Sequence, residues 1–537
     1  MLATDASAPN TPAPVKNEKR ALLPRAGASR LRQSVHNREA NLIENFPRKQ
    51  IRKPGLIKTS GWGDWQFRLR GLILALALFS FVPLGAERVE QKPNILFVIA
   101  DQWRAQAFGF AGDPNVKTPH LDAFERQCVN FRQAVAGMPV CSPTRASLLT
   151  GQRPQTHGVF INDVPLSSNA VTLPKTLKAA GYDTGCIGKW HIDGHGSRSA
   201  FIPRERRQGF DYWKVLECTH SYNNSFYYAD GPEKMKWEGY DALAQTRDAE
   251  NYLRDHAKTG KPFLLWLAWG PPHNPYETAP AKYRAMYSPA NIKLHLNVPE
   301  EAEAQARKEL AGYYAHCTAL DDAFGDLLRT LKETGLAANT IVVFTSDHGD
   351  MLRSQNQQRK QRPWEESARV PMLLRLPASL GIQPQRLAAT INTEDVMPTL
   401  LSLVNVAIPN SVEGLDFTPA MRGGKDPSGG ATVIRCISPF GEFMRRNGGR
   451  EYRAVRTPEH TFARSLNGPW LLYDNKTDPY QTNNLVNLPE YAELQARLDR
   501  LLTEKLAGQR DDFRPGSEYI ARWGYEVDAN ETAVYKP

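Results

Sequence analysis

From Lys92 onward, short apolar runs alternate with longer amphipathic stretches, the pattern of βαβ units wound into a mostly parallel sheet. Four of these runs lead straight into residues with chemistry. Asn94–Ala100 is followed by Asp101 and Gln102, and Tyr182–Gly188 by Lys189, Trp190 and His191; Phe263–Trp269 is followed by a Pro271-Pro272-His273 turn, and Thr340–Ser346 by Asp347, His348, Gly349 and Asp350. Open α/β sheets bind ligands at the carboxyl ends of their strands, so the four ends are expected to meet in one site. Val171–Ala180 and Glu309–Thr334 carry helical spacing between them, the second stopped by Gly335.

The expected architecture is an α/β domain over residues 92–425, a mostly parallel central sheet flanked by helices. Pro, Gly and Lys thicken between Arg422 and Gly430. Beyond them Glu451–Arg456 and Trp470–Tyr473 read as strands and Tyr491–Leu506 as a helix, which makes residues 426–537 a smaller C-terminal α+β subdomain and tail. The stretch from Asp511 is too irregular to predict an element.

Residues 1–91 read as a basic leader. An Arg-containing flank, the apolar run Gly71–Ala86 and the small pair Gly85-Ala86 are the parts of a secretory signal, and the run is shorter than the ~20 residues that span a bilayer. Export to the periplasm or medium with cleavage near Ala86 is the reading; an uncleaved anchor or a buried helix are the alternatives. The formal charge of +10 points to nucleic acid only until it is located: residues 1–70 hold 14 Lys+Arg against 5 Asp+Glu. The rest of the chain is nearly neutral, and no nucleic-acid partner and no stable membrane span are expected. A 41% apolar fraction over 537 residues excludes a disordered chain, and six scattered cysteines without a CxxC pair argue against a disulfide framework or zinc knuckle while leaving individual pairs open in an exported protein.

The most informative segment is Met138–Gly151. Pro143 suits a first helical turn and Gly151 a stop, so Cys141 falls at a helix N-terminus, where exposed amides attract anions and lower a thiol pKa. Arg145 follows one turn later on the same face. A structural cysteine before a helix would show the same spacing. The wording goes further: Cys141-Ser-Pro143-Thr-Arg145 followed by Ala-Ser-Leu-Leu-Thr-Gly resembles the formylglycine signature of the type I sulfatases, within the alkaline-phosphatase-like superfamily. Pro93–Asp101, Thr118–Asp122, Gly188–His191, Thr345–Gly349 and Trp364–Pro371 occur in that family's order, and Tyr452–Arg456 and Leu472–Leu485 resemble its C-terminal part.

The resemblance implies a sulfatase in which a separate maturation enzyme oxidises Cys141 to formylglycine (3-oxoalanine), whose hydrated aldehyde carries the nucleophilic hydroxyl. It implies Asp101, Gln102, Cys141, Asp347 and His348 as metal ligands, with Ca²⁺ expected and Mg²⁺ as the alternative. Gln102 stands where the family often has Asp, and His348 where it often has Asn. Lys189 and Lys360 are implied as sulfate-binding lysines, His191 as a proton acceptor and His273 as the acid for the leaving alcohol, and Arg145, beside Cys141 in the anion cradle, is counted with the catalytic residues. Extended backbone would point Lys189 and His191 the same way. Glu365 and Glu366 read as structural, as do His120, His157 and His256. His220 and Asn223 are candidate contacts to a sugar ring, in a loop an ordinary surface turn would also match. The expected substrate is a sulfated poly- or oligosaccharide. A formylglycine-dependent phosphonate monoester or phosphodiester hydrolase, or an inactive glycan-binding relative, are the competing readings.

Overall fold

The computed structural model describes residues 92–535; the expected leader and signal run lie outside them. In chain order the strands are β1 (Asn94–Asp101), β2 (Val129–Phe131), β3 (Asp183–Lys189), β4 (Tyr212–Leu216), the short pair β5 (Phe226–Tyr227) and β6 (Met235–Lys236), β7 (Phe263–Pro272), β8 (Thr340–Ser346), β9 (Met372–Arg375) and β10 (Gln385–Leu387). Eight of them build the central sheet in the order β10-β2-β9-β8-β1-β7-β3-β4. Every neighbouring pair is parallel except those made by β9, which runs against both β8 and β2. The sheet is therefore mixed, with one reversed strand in a parallel array.

The sequence pattern explains the two-sided burial. Successive side chains of a strand face opposite ways, so in β1 Ile95, Phe97 and Ile99 enter one apolar layer while Leu96, Val98 and Ala100 enter the other. The helix Glu303–Glu333 packs in the second layer, burying Tyr313, Leu320, Phe324 and Leu327. It ends at Gly335 in the left-handed conformation (φ 74°), and the other expected helix spans Leu173–Ala179.

Four further strands, β11 (Thr432–Cys436), β12 (Tyr452–Arg456), β13 (His460–Ser465) and β14 (Gly468–Asp474), form an antiparallel sheet. Val433, Val455, Phe462 and Leu472 pack on Leu498, Leu502 and Leu506 of the helix Ala492–Gly508. The opposite face, with Ile434, Ala454 and Ala463, packs on Val135, Met351 and Trp364, so this layer adheres to the catalytic body. Glu365 and Glu366 sit at that seam, as structural residues should: Glu365 pairs with Arg456 and Arg369, and Glu366 accepts from Asn297. The stretch after Asp511 is not wholly irregular. It holds the helix Gly516–Trp523 and a bridge between Val527 and Ala533. Among the described residues no helix is long and apolar enough to cross a membrane.

Candidate active site

β8, β1, β7 and β3 are neighbours in the sheet, so their carboxyl ends deliver Asp347 and His348, Asp101 and Gln102, His273, and Lys189 and His191 to one place. The register between β1 and β7 shifts at Ala100/Asp101, a bulge that turns the chain out of the sheet there. The helix Cys141–Thr150 ends at Gly151 in the left-handed conformation, and its first residue projects into the same point. Its Ser142 N–H is capped by the Asn162 side chain at 3.1 Å.

Cys141 is fully buried at the centre. Its Sγ lies 3.1 Å from His348 Nε2, 3.2 Å from Lys360 Nζ and 3.7 Å from Asp101 Oδ1. Arg145 ties the two acids together: Nη2 is 2.9 Å from Asp347 Oδ2 and 3.3 Å from Asp101 Oδ2, while Nη1 donates to the Lys189 carbonyl at 3.1 Å. Lys189 Nζ donates to Asp101 Oδ2 at 2.5 Å. Burial and the Asp101 charge push the Cys141 thiol up, but Lys189, Lys360 and His348 outweigh them and hold it well below its ordinary value. Burial likewise pushes Asp101 up and is overcome by Lys189, His273, Arg145 and His348. Asp347, with burial and Asp101 acting together, stays raised. The site thus concentrates positive charge on a single buried acceptor position.

Asp101, Cys141, Asp347 and His348 offer donor atoms that all lie within 4.8 Å of one another, a set suited to one cation. His348 is aimed by its Nδ1, which lies 2.8 Å from the Gly349 carbonyl, leaving Nε2 toward the cluster. Gln102, at φ 71°, gives its N–H to Asp347 Oδ1 and its amide to Asp350 at 2.6 Å. Its Oε1 borders the cluster, 3.4 Å from Lys360 Nζ.

His191 reaches the cleft by a route different from extended backbone. β3 ends at Lys189, and His191 is left-handed at φ 64°, because the Glu217 carboxylate gathers the N–H groups of His191, Asp193 and Gly194 into a turn. Gly188 (φ 103°) makes this possible; a Cβ there would stand 2.1 Å from the Ala268 carbonyl. His191 Nε2 is held 3.1 Å from Asp163, which also takes Arg198 through both oxygens and the Tyr535 hydroxyl at 2.6 Å. His273 Nδ1 rests on the Asn274 carbonyl at 2.9 Å and its Nε2 faces Lys360 Nζ at 3.0 Å. Burial and Lys360 keep its pKa well below the ordinary value, so the ring is neutral before substrate arrives.

A cleft of about 410 Å³ opens over these groups. His220 lines it, with its ring stacked on His273 at 4.4 Å between centroids. Asn223 does not: it is exposed and its amide donates to the Thr278 carbonyl at 2.8 Å. His157 is spent on Ser147, and His120 and His256 lie outside the cleft. Sequence reasoning missed Asp163, Arg198, Glu217 and the segment carrying Thr532 and Tyr535. Asn162-Asp163 after the apolar Val159–Ile161 was a usable signal; nothing marks Tyr535.

Residues 93–406 match the family model described as Sulfatase, and residues 358–508 match the model for the C-terminal part of N-sulphoglucosamine sulphohydrolase. An ulvan-active sulfatase of Formosa agariphila is 46% identical over 452 residues, covering 82% of this chain and 86% of that protein. The chain belongs to the sulfatase family. An endo-4-O-sulfatase of Bacteroides thetaiotaomicron is 30% identical, over 80% of the sulfatase described here and 95% of its own length. The crystal structure of Bacteroides fragilis yidJ matches it with a TM-score of 0.72 at 30% identity, covering 81% of this sulfatase and 99% of that chain. The phosphonate monoester hydrolase of Agrobacterium radiobacter shares the fold at 21% identity and a TM-score of 0.64. This sulfatase is accordingly a sulfuric ester hydrolase with an alkaline-phosphatase-like fold.

Proposed function

We propose that this sulfatase is exported and removes sulfate esters from a poly- or oligosaccharide, with Cys141 converted to formylglycine by a maturation enzyme and with one divalent cation, Ca²⁺ in preference to Mg²⁺. The observation that carries the reading is the Cys141 Sγ itself, fully buried where Lys360, His348 and Asp101 converge. A structural cysteine needs none of these partners. The relatives named for ulvan and for a 4-O-sulfate support a carbohydrate.

Asp101, Gln102, Asp347 and His348 would hold the cation beside residue 141. When bound, cation and formylglycine together supply an activated hydroxyl aimed at sulfur. The chain's own residues do the rest. Lys189 and Lys360 flank the reacting position and receive the sulfate oxygens, replacing the water those oxygens lose. Asp163, fixed by Arg198 and Tyr535, sets the His191 ring so that it takes a proton at the reacting residue. His273 has its Nδ1 bound to a carbonyl, so Nε2 is the atom that carries the proton to the leaving oxygen. An anionic sulfate between the lysines raises the affinity of that ring for a proton.

The deciding experiment is a parallel assay of protein produced with a maturation enzyme on nitrophenyl sulfate, a phosphodiester and a phosphonate monoester. Preference for sulfate is expected; a phosphonate preference of several orders of magnitude would assign the site to phosphorus, and glycan binding without turnover in matured protein would make it a binding module. His273→Ala is expected to slow alkyl and sugar sulfates by about 10²–10⁴-fold and nitrophenyl sulfate far less, because a good leaving group needs no acid. Equal losses on both would remove His273 from that role.

A further inference from the structure

The reactive cleft continues beyond the groups that handle sulfate. A second cleft of about 410 Å³, walled by Tyr276, Gln305 and Lys308 among others, shares Asn274 and Arg359 with the first. The pair reads as one groove with Arg359 at its waist. Asp350 locks the two halves in register. One oxygen takes Gln102 Nε2 and the Tyr276 hydroxyl, both at 2.6 Å; the other takes the Arg359 N–H at 3.1 Å. The Arg359 carbonyl accepts from Met351 N at 2.8 Å, and the residue is left-handed at φ 59°. Its main chain is pinned on both sides.

The side chain is in a different state. Arg145 is saturated by two carboxylates, Arg198 by Asp163 and Arg353 by Glu309. Among the described residues no carboxylate lies within ion-pair distance of the Arg359 guanidinium. The acids that face the second cleft are Glu309, already paired with Arg353, and Glu277, which is exposed; Lys308 adds positive charge, and Glu442 lies in the first cleft. A half-buried, unpaired guanidinium on a fixed backbone is organised to receive a planar or tripodal anion through two N–H donors. Its neighbour in sequence, Lys360, faces Cys141. One residue therefore serves the reacting group, and the next lines both clefts where they join.

We propose that Arg359 forms a second anionic subsite, so that the preferred substrate is an oligosaccharide bearing a carboxylate or a further sulfate on the sugar adjoining the one that loses its sulfate. This rests on the carbohydrate sulfatase reading above. It names what that reading leaves open, the charge pattern around the cleaved ester.

The test uses full-length protein produced with a maturation enzyme, as wild type, Arg359→Gln and Arg359→Lys. The substrates are nitrophenyl sulfate, a sulfated disaccharide with a uronate neighbour, the same disaccharide with the carboxyl reduced to an alcohol, and a disulfated disaccharide. Arg359→Gln is expected to lower kcat/KM on the charged disaccharides by about 10- to 100-fold, chiefly through KM. On nitrophenyl sulfate and the reduced disaccharide it loses less than about twofold, and wild type loses the same large factor when the carboxyl is reduced. Arg359→Lys recovers part. A loss confined to the uronate or to the disulfated compound tells which anion is read. Equal losses on charged and reduced disaccharides, or no loss on either, would overturn the subsite. Calorimetric binding of the same charged and reduced disaccharides to unmatured wild type and Arg359→Gln gives the same contrast without turnover. An absence of any sulfate hydrolysis would thus sink the sulfatase reading while still deciding whether Arg359 binds an anion.

Discussion

Cys141→Ala abolishes sulfate ester hydrolysis, with kcat falling on the order of 10⁴-fold or more, while the protein remains folded. The two halves of this expectation have separate causes. Sγ is the atom on which His348, Lys360 and Asp101 converge, and on the proposed function no other side chain is placed to attack. The stability cost is small, since a thiol's volume is lost from a place held by its neighbours' own pairs, Lys189 with Asp101 and Arg145 with Asp347. Circular dichroism and a melting curve check the fold. The tryptic peptide Gln133–Arg145 of the wild type, about 18 Da lighter when the thiol has become an aldehyde, checks the chemistry. Turnover surviving in Cys141→Ala would require another nucleophile, and a thiol persisting in fully active protein would exclude formylglycine.

Arg145→Ala has the second largest effect, and it strikes stability and activity together. The guanidinium is buried between Asp101 and Asp347 and also bonds the Lys189 carbonyl, so its removal strands two carboxylates that already repel each other. Stripping one partner from a buried ion pair costs about 3–5 kcal/mol. The urea midpoint drops accordingly. Activity falls by at least about 10²-fold, because the two acids, the Lys189 main chain and the helix bearing Cys141 share that one support. Arg145→Lys recovers little, since an ammonium cannot span both carboxylates and the carbonyl at once. An unchanged urea midpoint in Arg145→Ala would show that the charge network is not structural.

How far the sequence revealed this can be traced residue by residue. Asp101, Lys189, His273 and Asp347 were legible because each follows an apolar run, and parallel strands must release their chains at one edge. Cys141 and Arg145 were legible from helix punctuation and from the family's wording around them. Lys360 came from the family resemblance, through its place four residues before Trp364, within a run of polar residues with no periodicity. His191 was identified for the wrong geometric reason: the turn that aims it depends on Glu217, 26 residues away. Asn223 lies outside the cleft, exposed and with its amide on the Thr278 carbonyl, because the loop turns there in a way the residue types do not encode. Asp163 and Tyr535 act through contacts made 28 and 372 positions apart, which no local pattern encodes. The reversed strand β9 was equally invisible, since Met372–Arg375 is only four residues long.

The segment that brings Tyr535 to Asp163 also decides how the enzyme responds to heat. It is fastened by Arg445 to Glu531 and by Arg446 to Asn530, and Arg445 and Glu531 are 41% and 27% exposed. Pairs of that kind contribute about 0–1 kcal/mol each, whereas the sheet beneath His191 is sealed by fully buried apolar layers. On warming, the segment is expected to lift before the sheet melts, so that His191 loses part of its anchorage while the fold is intact. Activity lost below the global melting transition and recovered on cooling is the result that checks this, and pinning residues 526–535 is then expected to raise the temperature of inactivation more than repacking the core.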